Sequence, residues 1–169
     1  PEHLKFHSRP GAQSVIYLNF SGHVVSGTAW NSYIGRTPIP ARAFSTDGDD
    51  TTFTDAEQTA IKRIWQRVAE DYAPFDVNVT TEAPSVWNNR TAHVLITRNT
   101  DLNGQPNPAP SAGGVAYVNV FGRTDFAYYS PAWVYHNNLL NREDYISEAA
   151  SHEAGHNLGL GHDGRTDGY

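Results

Sequence analysis

Runs of apolar residues with period two and stripes with period near 3.6 divide this chain into elements. Residues 1–12 show no period and read as an extended N-terminal segment. Residues 13–20 form a largely apolar run, with Val15, Tyr17 and Asn19 alternating with Ile16, Leu18 and Phe20, and Asn19-Phe20-Ser21-Gly22 closes it as a turn. Scattered Gly, Pro, Ser and Thr make residues 22–50 an irregular connection with room for a short hairpin. Thr54-Asp55-Ala56-Glu57 has the form of a capping box, and Ile61, Ile64, Trp65, Val68 and Tyr72 then recur at three- and four-residue spacing. That stripe predicts a helix from Thr54 to about Tyr72, stopped by Pro74. Strands are expected at 76–81, 93–97, 115–121 and 133–136, with a proline-bearing loop at 99–111. A second long helix follows over 142–157, capped by Asn141, with Glu143 and Asp144 in the first turn where the helix dipole favours negative charge. The order of elements predicts an α/β (α+β) fold in which a twisted mixed sheet carries both helices.

Composition narrows the class. The 169 residues are 38% hydrophobic and 12% aromatic, which suits one folded domain over 1–169. A net charge of -6, from 18 acidic against 12 basic residues, argues against nucleic acid as a partner. No apolar run is long enough to span a membrane. The polar start Pro1-Glu2-His3-Leu4-Lys5 is no signal peptide, so the chain reads as a mature or trimmed form, or as an intracellular protein. There is no cysteine, which excludes disulfide and thiolate chemistry, and no methionine.

Chemistry concentrates at Ser151-His152-Glu153-Ala154-Gly155-His156-Asn157-Leu158-Gly159-Leu160-Gly161-His162-Asp163. Four helical residues turn the chain through about 400° and advance it roughly 6 Å, so His152 and His156 project from one face. Two such imidazoles can share one zinc ion. Gly159 can take a left-handed conformation, end the helix and return His162 to the same ion. Three neutral imidazoles leave a tetrahedral zinc one open position for water. Glu153, beside the first ligand, is placed to take a proton from that water and pass it to a leaving amine.

His-Glu-x-x-His-x-x-Gly-x-x-His resembles the zinc signature of the metzincin metallopeptidases. The fuller string from His152 to Asp163 is most similar to the adamalysin (reprolysin) branch. Tyr17-Leu18-Asn19-Phe20-Ser21-Gly22-His23 and Trp65-Gln66-Arg67-Val68-Ala69-Glu70-Asp71-Tyr72 resemble stretches of secreted bacterial metallopeptidases with a reprolysin-like domain. The resemblance implies a secreted bacterial zinc endopeptidase whose fold is the upper metzincin subdomain, and an extended peptide or protein as substrate. It also implies an antiparallel edge strand that clamps the substrate as an added strand. Gly113, Gly114, Val115, Ala116, Tyr117 and Val118 resemble that strand, although an ordinary buried strand reads almost as well.

The chain departs from the family in lacking the methionine turn, and it ends at Tyr169 soon after His162. The lower subdomain is therefore expected to be missing or short, or supplied by a C-terminal fragment or second chain. The alternative function is a zinc-holding peptide-binding or structural module without turnover. Calcium is a further expectation at Asp47-Gly48-Asp49-Asp50, where a solvated turn is the commoner meaning of such a cluster. Asp163 can orient a ligand from behind. His3 and His7 could reach the zinc as an inhibitory segment, though unengaged histidines near a chain end are commoner.

Overall fold

The structure, a computed structural model, describes residues 2–162. Its strands are β1 (Ser14–Asn19), β2 (His23–Val25), β3 (Ile39–Ala41), β4 (Val77–Thr80), β5 (Thr91–Thr97), β6 (Gly114–Val115) and β7 (Ala132–Tyr135). Its α-helices are α1 (Ala29–Ile34), α2 (Asp55–Asp71) and α3 (Glu143–Asn157). Five strands form one sheet in the order β4-β1-β5-β7-β6, and β2 and β3 pair as a separate antiparallel hairpin. Within the large sheet β4, β1, β5 and β7 run parallel, and β6 lies antiparallel at the edge.

Parallel strands covered on both faces need apolar side chains on both, and the sequence supplies them. Ile16, Leu18, Val94, Ile96, Ala132 and Val134 pack with Ile61, Ile64 and Val68 of α2 and Ile146, Ala150 and Ala154 of α3. Leu95, Trp133 and Tyr135 point the other way, into a second cluster with Val25, Trp30, Ile39 and Ala41 from the hairpin and α1. Full burial of each large apolar side chain is worth about 1.5–3 kcal/mol, so these layers hold α3 rigidly against the sheet.

The capping box of α2 forms as the sequence predicts. The Thr54 hydroxyl accepts from the Glu57 amide at 3.2 Å, and Glu57 Oε2 accepts from the Thr54 amide at 2.8 Å. Four expectations need correction. Residues 22–50 hold a hairpin but also the helix α1, capped by Thr28 and Asn31 in a second capping box. The N-terminal segment is not simply extended or loose. Glu2–Leu4 is a 3-10 turn, Leu4 is buried, Phe6 stacks on Trp65, and Ser8 donates to the Val79 carbonyl beside β4. Asn141 does not cap α3: it adopts φ 55° in the preceding turn and its side chain turns back to His136 at 2.7 Å. The strand expected over 115–121 ends at Val115. Beyond it the amides of Asn119, Val120 and Phe121 donate to the carbonyls of His156 and Asn157, where the regular ladder of α3 has ended. The need of that helix terminus outcompetes further strand pairing.

Candidate metal centre

Two turns of α3 carry the first part of the site. His152 and His156 project from the same face, with ring centroids 4.3 Å apart. Helix α3 ends in a reversal: Gly159 takes φ +99°, the Gly159 amide donates to His156 and the Leu160 amide to Gly155. The reversal brings His162 back over the helix. Its Nε2 lies 3.0 Å from His152 Nε2 and 3.1 Å from His156 Nε2.

These separations decide what the cluster suits. The Leu160 carbonyl lies 2.7 Å from His156 Nδ1, so that nitrogen donates and Nε2 of a neutral ring is left as a lone pair. His162 Nε2 either donates to one neighbour or, unprotonated, accepts from His152 and faces the His156 lone pair, so one of the two short contacts is left without a hydrogen bond. A cation between the rings removes that conflict. Two ligands about 2.0–2.1 Å from one tetrahedral ion stand roughly 3.3 Å apart, close to what is found here. The His152-His156-His162 group can therefore hold a metal, and among the described residues it is the group of His and carboxylate side chains close enough to do so. Burial lowers the His152 pKa, with His156 and His162 adding to the shift, and so favours the neutral form that ligates.

Glu153 points into the same space. It is 6% exposed, and burial pushes its carboxyl up to about 7, against a smaller opposite pull from His156. Gly113, Gly114, Val115, Ala116 and Val118 line a cleft of 520 Å³ together with His152, Glu153, His156 and His162. Strand β6 ends the sheet, so among the described residues its outer side has no partner strand. Of the six residues expected to bind substrate, Tyr117 is the exception: its ring packs on Trp30 and Tyr129, outside the cleft.

The remaining expectations fall elsewhere. Asp47 accepts from Ser45 and from the Asp49 amide, Asp49 accepts from Thr51 and Thr52, and Asp50 pairs with Arg42. That is the pattern of a self-contained turn. His3 meets Gln58, and His7 meets Glu82 and Asn78, so both are engaged away from the triad. Asp163 lies outside the described residues. Sequence reading gave Asn157, inside the motif string, no role of its own; it is buried, and its side-chain amide donates to the Tyr117 carbonyl at 2.8 Å and ties the cleft wall to α3. A polar residue at the last turn of an otherwise packed helix was the signal available.

No family model, curated protein or solved structure matches this chain. The functional reading rests on the geometry. No helix among the described residues is long and apolar enough to cross a membrane.

Proposed function

We propose that this chain is a zinc-dependent endopeptidase domain of metzincin-like build. The observation that carries the reading is the meeting of three Nε2 atoms beside Glu153, in a cleft whose other wall is the edge strand of the sheet. His152, His156 and His162 would hold the ion, and the donor set suits zinc. Zinc, when bound, acidifies a water molecule and polarises a carbonyl.

The protein's own groups do the rest. The free edge of β6 offers backbone amides and carbonyls to an extended peptide, which needs no particular side chain to bind there. Glu153 accepts a proton from the attacking water as its oxygen bonds to the scissile carbonyl carbon. The same carboxyl then delivers that proton to the amide nitrogen as the C–N bond breaks. Burial of Glu153 keeps bulk water from competing for the proton. A secreted bacterial setting belongs to the same proposal and is supported by the sequence resemblance alone.

The test is Glu153→Ala with metal analysis and digestion of casein and a peptide library. The expected result is one zinc per chain in both proteins and a loss of chelator-sensitive cleavage of about 100-fold or more. Undiminished cleavage, or a folded protein that retains no zinc, overturns the reading. Stoichiometric zinc without any cleavage by the parent chain would instead identify a peptide-binding or structural module.

A further inference from the structure

We infer that Gly114 is the positioning residue for the Glu153 carboxylate, and that the empty space at its Cα is where the base is seated. The inference rests on the peptidase reading for its effect on turnover, but not for its geometry.

Gly114 pairs with Val134 across β6 and β7, and Val134 belongs to the layer that faces α3. Side chains alternate along a strand, so any substituent at position 114 would be directed at α3. A Cβ built there would stand 2.8 Å from Glu153 Cγ and 2.9 Å from Oε1, with the Trp133 carbonyl oxygen at 2.7 Å. At each of these distances something must shift, and neither Glu153 Cγ, midway along its side chain, nor the Trp133 backbone oxygen gives way cheaply. Gly114 is not one of the glycines with positive φ, so the backbone does not require glycine there and the close approach does.

The neighbouring glycines differ. A Cβ at Gly113 would meet only the Leu139 side chain, nearest at 2.9 Å, which has rotamers to retreat into. One at Gly161 would meet nothing within 4 Å. Among the described residues no hydrogen-bond donor holds the Glu153 carboxylate, and the contact that sets its direction there is packing against Gly114. Displacing a catalytic group by about 1 Å can cost on the order of 100-fold in rate. The strand that receives the peptide therefore also aligns the base, and one residue couples the two.

The experiment compares Gly114→Ala, Gly113→Ala, Glu153→Ala and the Gly114→Ala/Glu153→Ala double variant. Readouts are zinc content, kcat and KM, thermal stability, and crystal structures of the parent and Gly114→Ala. The expected result for Gly114→Ala is unchanged zinc, a Glu153 carboxylate moved by about 1 Å or more, and kcat reduced about 100-fold with KM within about threefold. Gly113→Ala, crystallised alongside, should leave the Glu153 carboxylate where the parent holds it, because the Leu139 side chain can give way. In the Glu153→Ala background the Gly114 change should alter the residual rate by less than about threefold, because its target is gone.

An unmoved carboxylate with full kcat overturns the inference, as does an equally large loss when Glu153 is absent. If Gly114→Ala alone fails to fold, the double variant decides. Recovery of folding once the Glu153 side chain is removed supports the steric contact, and failure of both assigns the defect to the Trp133 carbonyl and overturns the inference. Should the parent chain show no hydrolysis, the peptidase reading falls, and the position of Glu153 in the two crystal structures still supports or overturns the seating.

Discussion

Gly159 holds φ +99°, and a Cβ there would lie 3.1 Å from Asn119 Oδ1, so both conformation and space favour glycine. Forcing an ordinary residue into a left-handed conformation costs roughly 1–2 kcal/mol. The turn would relax before the well-packed helix did, and the relaxation would carry His162 away from its partners. Gly159→Ala is therefore expected to weaken zinc binding by about tenfold or more while leaving helix content unchanged, measured by competition with a chromogenic chelator and by circular dichroism. Equal affinity would show that the turn does not set His162. At this scale the ligands were readable because the helix repeat places His152 and His156 together by arithmetic. The contact between Gly114 and Glu153 was not readable, since the two are far apart along the chain and meet only after β6 and α3 pack.

The last turn of α3 depends on residues 117–121. Asn119, Val120 and Phe121 satisfy its terminal carbonyls, and Asn157 returns a hydrogen bond to Tyr117. Asn157 is 1% exposed, so Asn157→Ala leaves the Tyr117 carbonyl without that partner in a site poor in water. The expected loss is about 1–3 kcal/mol in chemical denaturation, accompanied by faster amide exchange at 119–121. An unchanged midpoint and unchanged exchange would show that Asn157 does not tether the segment. The same element marks a boundary of sequence reading. Val115 to Phe121 has the β-branched and aromatic content of a strand, and only the carbonyls of a helix remote in sequence divert it. The α2 boundaries were readable in advance, because a capping box is satisfied within its own four residues.

The molecule as a whole is two apolar layers on one sheet, with a few titratable groups sealed inside, and those groups tie its stability to pH. His93 sits on the hairpin side of β5, stacked on Tyr17 with ring centroids 5.4 Å apart and packed edge-on by His23. Asn19 Nδ2 lies 3.0 Å from His93 Nε2 while Asn19 Oδ1 accepts from the Ser21 amide, so the ring accepts as a neutral imidazole. Burial, with a smaller push from His23, lowers the His93 pKa to about 3. Below the ordinary value near 6.5 the unfolded chain takes up a proton that folded His93 refuses. Stability from this residue is thus complete above about pH 6.5 and declines as pH falls toward 3, by up to about 1.4 kcal/mol per pH unit. His136 is buried and shifted in the same direction, against the pull of its Asn141 contact. Glu57 acts lower: burial opposes its charge, but hydrogen bonds from Thr46 and Thr54 outweigh that and hold its pKa down. Its contribution is present above its ordinary value of 4.5 and is lost as pH falls below it. Glu153 works against the histidines between about pH 6.5 and 4.5, since burial raises its carboxyl to about 7 and the folded protein there holds a proton that the unfolded chain gives up. In zinc-free protein the Glu153 contribution is common to parent and variant, so His93→Gln should lower the slope of unfolding free energy against pH across that interval by as much as about 1.4 kcal/mol per pH unit, whatever it does to the value at pH 7. Urea titrations at half-unit steps measure the slope, and a slope equal to that of the parent would mean that His93 is protonated as readily in the folded protein as in the unfolded chain.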